Sequence, residues 1–340
     1  MHRAHPAVLV LAALLLVGVP NAAAAQESAT ADSVSVKVTA HPIESFDPRD
    51  PARKRFGDLE FRSGLVLSSP FKGFGGLSAI RLDADGRRFV ALSDKGDWFT
   101  GAIVYRGKAM TGMENVVSAP MLGSDGRPIR ARGWFDSEAL AVDGQTLYVG
   151  LERVNRILRF DFAQGGIGAR GVEIAVPPAI RKLPFNLGIE GMAFVPKGLP
   201  LAGTLLALSE RGLDADGNLL GFLIGGPTPG QFSLRRTAKF DVSDCTLLPS
   251  GDLLVLERKF SLADGIGIRI RRIALGAIAP GALVDGPSIF EADLGYEIDN
   301  MEGLDVHRDA DGSLVLTMVS DDNFSMLQRT LLLQFTLMEP

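Results

Sequence analysis

Short apolar runs separated by Gly- and Pro-containing turns recur along the chain, with no long stretch of helical periodicity. In "GIEGMAFVPKGLPLAGTLLALSERG" (Gly188–Gly212), the runs Met192–Val195 and Thr204–Leu208 predict two buried strands joined by a turn. Antiparallel pairing sets Glu190, at the start of the first strand, beside Glu210–Arg211 at the end of the second. The same plan appears in "GGLSAIRLDADGRRFVALSDKGDW" (Gly75–Trp98), "DSEALAVDGQTLYVGLERVN" (Asp136–Asn155), "DCTLLPSGDLLVLERKF" (Asp244–Phe260) and "NMEGLDVHRDADGSLVLTMVSDDNF" (Asn300–Phe324).

Ser78, Glu138, Glu190, Thr246 and Glu302 mark the five strand starts, at intervals of 60, 52, 56 and 56 residues. A repeat of this length in an all-β chain predicts a single β-propeller, one four-stranded sheet per blade. Five blades result; a sixth would require Val34–Phe46 to belong to another blade, and too few residues remain there for four strands. The last repeat stops one strand short after Leu331–Leu337. Leu59–Leu67, just before the first repeat, is the expected missing outer strand that closes the ring. The domain division expected is 1–25 signal peptide, 26–58 N-terminal extension and 59–340 propeller.

The signal peptide reading rests on Arg3, the apolar run Ala7–Val19 and the small residues Ala23 and Ala25 before a cut after Ala25. That run is shorter than the roughly 20 residues that span a bilayer, so an exported, periplasmic or secreted protein with no spanning segment is expected. Cleavage leaves 34 basic and 40 acidic side chains, a mildly acidic balance that points away from a nucleic-acid surface, which would be basic. Cys245 is the one cysteine and forms no internal disulfide. A monomer is expected.

Propeller geometry brings the start of each first strand and the end of each second strand to one face of the disc. Ser78/Asp94, Glu138/Glu152, Glu190/Glu210, Thr246/Glu257 and Glu302/Asp321 then converge on one mouth of the central channel. Clustered carboxylates repel and raise one another's pKa unless a cation intervenes, and an oxygen-preferring Ca²⁺ is the natural partner. The candidate metal ligands are Glu138, Glu190, Glu302, Asp321 and Asp322. Lys95, Arg153, Arg211, Arg258 and Lys259 are the candidate substrate-binding cations. Glu190, Glu138 and Glu302 are the candidate catalytic acids, with Glu190 preferred as general base because Gly188 and Gly191 flank it. Asn300 and Asn323 are candidate neutral ligands, and Asp214 and Asp216 candidate outer ligands. The competing role for each acid is a carboxylate–arginine pair that holds one blade to the next.

The ordered set "GLSAI", "ALSDKG", "SEALAV", "IEGMAF", "LLVLERKF", "NMEGLDV" and "VSDDNF" resembles the phytase-like family, also described by the esterase-like activity of phytase, over roughly Gly64–Leu337. The resemblance implies an exported bacterial β-propeller that hydrolyses phosphoesters or esters, with acids and calcium at the disc mouth. The expected ligand is therefore a small phosphorylated or ester substrate. A non-catalytic binding propeller with structural calcium and a lactonase-type ester hydrolase are the alternatives. "GIGARG" (Gly166–Gly171) lacks the following helix that a dinucleotide site needs. The chain also has no Gly-x-Ser-x-Gly elbow and no His/Cys zinc cluster.

Overall fold

The computed structural model describes Met1, residues 33–261 and residues 265–338. Apart from Met1, the expected signal peptide lies outside these residues, as do residues 26–32 of the expected extension. Five antiparallel-rich sheets form a five-bladed propeller. From the axis outwards, blade 1 comprises Leu77–Leu82, Arg88–Ser93, Asp97–Arg106 and Ala109–Pro120; blade 2 comprises Ser137–Asp143, Thr146–Leu151, Arg156–Asp161 and Arg170–Glu173. Blade 3 comprises Ile189–Phe194, Thr204–Leu213, Leu219–Gly225 and Gly230–Leu234, and blade 4 Asp241–Leu247, Leu253–Ser261, Gly265–Ile273 and Ser288–Asp293. Blade 5 takes Asn300–Arg308, Leu314–Asp321 and Thr330–Leu337 from the C-terminal end and closes on Leu59–Ser68. Leu331 faces Val66 and Leu333 faces Gly64 in that closure.

The segment weighed for a sixth blade staples the first and fifth together. Val34–Ser35 extends the outer edge of blade 1, and Thr39–Ile43 pairs with Leu59–Ser68 at the edge of blade 5. Phe46 follows and is fully buried, its ring 4.8–5.9 Å from those of Phe56, Phe61, Phe290, Tyr296 and Phe335. These rings come from blades 4 and 5 and from the N-terminal segment, so the closure is held by a shared aromatic core as well as by backbone pairing.

The innermost strands share a feature that sequence alone hides. Each pairs with its second strand through a β-bulge, which leaves one residue unopposed: Ser78, Glu138, Glu190, Ser243 and Glu302. A bulge bends its strand and re-aims the extra side chain. Glycine follows the bulge in blades 3 and 5 for a packing reason. A Cβ on Gly191 would lie 3.1 Å from the Asp244 carbonyl carbon, and one on Gly303 would lie 3.0 Å from the Ile80 nitrogen. Here the innermost strands of neighbouring blades approach backbone to backbone.

Candidate functional site

In blade 4 the expected strand start is shifted. Val242 pairs with Glu257 and Asp244 with Leu256, so Ser243, not Thr246, holds the bulge position. The second-strand residue that follows the pair before each bulge is then Asp94, Glu152, Glu210, Arg258 or Asp321. Arg258 therefore takes the place expected for Glu257. Glu257 is fully buried away from the mouth, accepting from Arg269 Nε at 2.6 Å and from Arg271 Nε and Nη2 at 2.8 and 2.6 Å. Thr246 lies deeper in the channel, its hydroxyl 3.1 Å from Asp305 Oδ1.

The mouth encloses a cavity of about 260 Å³. Seven of the bulge and strand-end positions line it with carboxylates, Asp136 adds an eighth, and Arg258 is the one cation on its wall. Oxygens of the buried Glu152, Glu190 and Glu210 lie within 4.8 Å of one another. Glu152 Oε1 also accepts the Gly188 N–H at 2.9 Å, which fixes the blade 2 acid to the start of blade 3. Arg258 Nη1 donates to Glu302 and, at 2.9 Å, to Asn300 Oδ1, while Nη2 reaches Glu210 Oε1 at 3.3 Å. Asn300 in turn donates to Glu302 at 2.7 Å. Glu138 is 9% exposed and has neither a hydrogen bond nor an ion pair among the described residues.

This arrangement shifts proton affinities in one direction. Burial first, and then repulsion from Glu210, pushes Glu152 up to about 7. Burial likewise raises Asp94 and Asp321 to about 6. Glu138 and Glu190 are held well above the ordinary carboxylate range by burial and by neighbouring acids, Glu152 among them. One guanidinium cannot neutralise this set.

Farther along the channel, away from the residues that line the acidic cavity, Arg81 bridges the blades. Arg81 projects from the innermost strand of blade 1 into the channel and forms a two-pronged pair with Asp244, at 2.8 and 2.9 Å. It also donates to the carbonyls of Met192, Cys245 and Leu304. Cys245 is fully buried beside this pair, and burial drives its thiol pKa far upwards, so it is an inert packing group.

Of the candidate ligands, Glu138, Glu190, Glu302 and Asp321 line the cavity, whereas Asp322 does not. Its carboxylate accepts from Gly76 N at 2.9 Å, Phe324 N at 3.0 Å and Thr330 Oγ1 at 2.9 Å, which ties the last loop to blade 1. Asn323 lines the cavity. The candidate cations divide into three kinds. Arg258 is in the wall. Lys95 lies over the Phe324 ring, Lys259 over Phe240 and Arg153 over Phe135 and Phe185. Arg211 pairs with Asp241 at 2.5 and 2.9 Å and faces a neighbouring groove. Asp214 organises its own turn, accepting from the N–H groups of Asp216 and Asn218, each at 2.9 Å. Asp136, Asn186 and Leu187 line the cavity without having stood out in the sequence. Asp136 directly precedes the "SEAL" strand start, the one signal that could have found it.

A ring of buried acids at the mouth of a five-bladed propeller defines the class of protein. The chain belongs to the phytase-like family, whose model, described as "Phytase-like: Esterase-like activity of phytase", matches residues 72–324. No curated protein matches it in sequence. Among solved structures it is similar to the Myxococcus xanthus glutaminyl cyclase, at 10% identity, covering 90% of this chain and 97% of that one, with a TM-score of 0.39. It is also similar to the Myceliophteria thermophila Cps50 (Swd1) beta-propeller domain, at 13% identity and TM-score 0.37, covering 73% of this chain and 66% of that one. At these scores neither bears on the function of this chain.

Proposed function

We propose that this protein is an exported, divalent-cation-assisted hydrolase of phosphoesters that works at the acidic mouth of the propeller. The observation that carries this reading is the convergence of eight carboxylates and a single guanidinium on one 260 Å³ cavity. The donor set suits a hard cation such as Ca²⁺: it is all oxygen, strongly anionic, and contains three buried carboxylates within 4.8 Å of one another. Glu152, Glu190 and Glu210 would hold the ion. When bound, such an ion supplies charge neutralisation, polarisation of a phosphoryl oxygen and a more acidic water.

The chain's own residues do the rest. Arg258 presents a planar fork suited to two oxygens of a phosphate. Glu302 and Asn300 fix the plane of that fork. Glu138, with no hydrogen-bond partner among the described residues, accepts or returns a proton at its carboxylate. The direct test is a screen of phosphomonoesters, phosphodiesters, carboxyl esters and lactones with calcium and with chelator. Calcium-dependent turnover of a phosphoester supports the reading, and turnover confined to lactones would replace it.

A further inference from the structure

Beside the acidic cavity lies a second and larger hollow of about 520 Å³. The two share Glu210, Arg258, Glu302 and Asn323 as a common wall. Its volume falls in the range of small-molecule sites, roughly 300–1,000 Å³, while the acidic cavity is below it. The groove differs in chemistry from the cavity. Arg211, Arg258 and Lys259 stand there beside Glu210, Asp241 and Glu302, so acids no longer outnumber cations, and Phe260 and Ile266 supply apolar surface.

Phe260 and Ile266 face each other across the second and third strands of blade 4. The Phe260 ring is 73% exposed, an unusual state for a phenylalanine. Other exposed apolar residues lie at the same end of blades 4 and 5. Leu294 packs against Gly265, next to Ile266. Met326 and Leu327 precede Gln328, another residue of the groove wall. Phe260, Leu294, Met326 and Leu327 are four of the ten exposed large apolar side chains among the described residues. The antiparallel order of the strands puts all four at the mouth end of blades 4 and 5. Scattered apolar residues need no explanation, but a cluster bordering a charged groove marks a binding surface.

We propose that the ligand of this mouth is an amphiphilic phosphoester whose anionic head meets Arg258 and Lys259 and whose apolar alkyl or aryl group lies on the lip of Phe260, Ile266, Leu294, Met326 and Leu327. This rests on the hydrolase reading for the orientation of the phosphate and departs from it in naming the leaving group. A compact, uniformly polar sugar phosphate would leave the lip facing water.

The test uses binding, so that it stands apart from turnover. The full mature chain with calcium is titrated calorimetrically with methylphosphonate and with hexylphosphonate, which cannot be hydrolysed at phosphorus. A fully buried methylene strengthens binding about fourfold, and on a half-open lip hexylphosphonate should bind at least about tenfold tighter than methylphosphonate. The triple variant Phe260→Ser, Met326→Ser, Leu327→Ser should lose that gain, keep its affinity for methylphosphonate and melt as the parent does, since all three side chains are exposed. Equal affinities in the parent, or a gain that survives in the variant, would overturn the proposal. Vesicles containing phosphatidic acid form the second arm. Retention on vesicles without any gain for soluble hexylphosphonate would make the lip a membrane contact and likewise overturn the groove. A chain-length gain in a protein that hydrolyses no phosphoester would sink the catalytic reading alone.

Discussion

Arg81 and Asp244, from the innermost strands of blades 1 and 4, meet across the channel in a two-pronged ion pair at 2.8 and 2.9 Å. Both side chains are buried, at 8% and 0% exposure. The desolvation cost of such a pair offsets much of its Coulomb gain, but removing one partner strands the other charge. Arg81→Met and Asp244→Asn should each destabilise the fold by about 3–5 kcal/mol. The double variant should recover part of that loss. Denaturant titration of the three variants measures the coupling, and additive losses would show that the pair acts only through separate contacts.

The seam between the chain ends makes a separate prediction. Phe46 is fully buried and contacts aromatic rings from blades 4 and 5 and from the N-terminal segment. Phe46→Ala should cost about 3–5 kcal/mol while leaving cation binding at the mouth unchanged, because none of the residues lining the cavity belongs to that core. A melting curve with and without calcium separates the two effects. A loss below 1 kcal/mol would mean that strand pairing alone closes the ring.

A third prediction concerns pH in the absence of a cation. Folding raises Asp94 and Asp321 to about 6 and Glu152 to about 7. A carboxylate with a raised folded pKa binds more protons in the native than in the unfolded state. Stability then falls as pH rises, from the ordinary carboxylate range near 4 up through 6–7. The chelated protein should therefore be more stable at pH 5 than at pH 8, the reverse of a protein held by salt-bridged acids. Calcium should remove most of that difference by taking the protons' place. Chelated protein that gains stability across this window would show that the acids are already compensated.

The five-fold period, the blade count and the closing strand were legible because buried strands demand apolar runs and turns demand glycine, and both survive in the local sequence. The register in blade 4 was not. In blade 3 the bulge reads Glu190–Gly191, but in blade 4 the same position reads Ser243–Asp244, so the repeat's signature is lost and the apolar run beginning near Thr246 looks like the strand start. That slip of three residues put Glu257 in the ring at the position Arg258 holds, although Arg258 stood among the candidate cations. The Arg81–Asp244 pair was illegible for another reason: its members stand 163 residues apart, and only the closed ring brings them together. The same limit applies to Asp322, which adjoins Asp321 in sequence but turns its carboxylate to Gly76 and Thr330.

The last prediction separates holding an ion from moving a proton. Among the described residues, Glu190 and Glu210 lie with Glu152 in a cluster whose oxygens are within 4.8 Å of one another, whereas Glu138 lines the same cavity without a hydrogen bond. Chelation should lower the melting temperature of the parent and calcium restore it, the ion adding about 2.7 kcal/mol of stability at a hundredfold excess over the dissociation constant. Magnesium, which demands a small regular octahedron, should restore it poorly. Glu190→Gln and Glu210→Gln should blunt the calcium shift, since each removes a charge from the cluster. Glu138→Gln should keep most of the shift and lose turnover by about 10²-fold or more, the scale of a lost general acid or base. Arg258→Lys keeps the charge but loses the planar fork, so it should raise KM more than it lowers kcat. Activity per folded molecule, read beside the calcium-dependent melting curve of each variant, distinguishes these roles. Full activity in folded Glu138→Gln would remove it from the proton path, and an unchanged calcium shift in both Glu190→Gln and Glu210→Gln would move the ion elsewhere in the mouth.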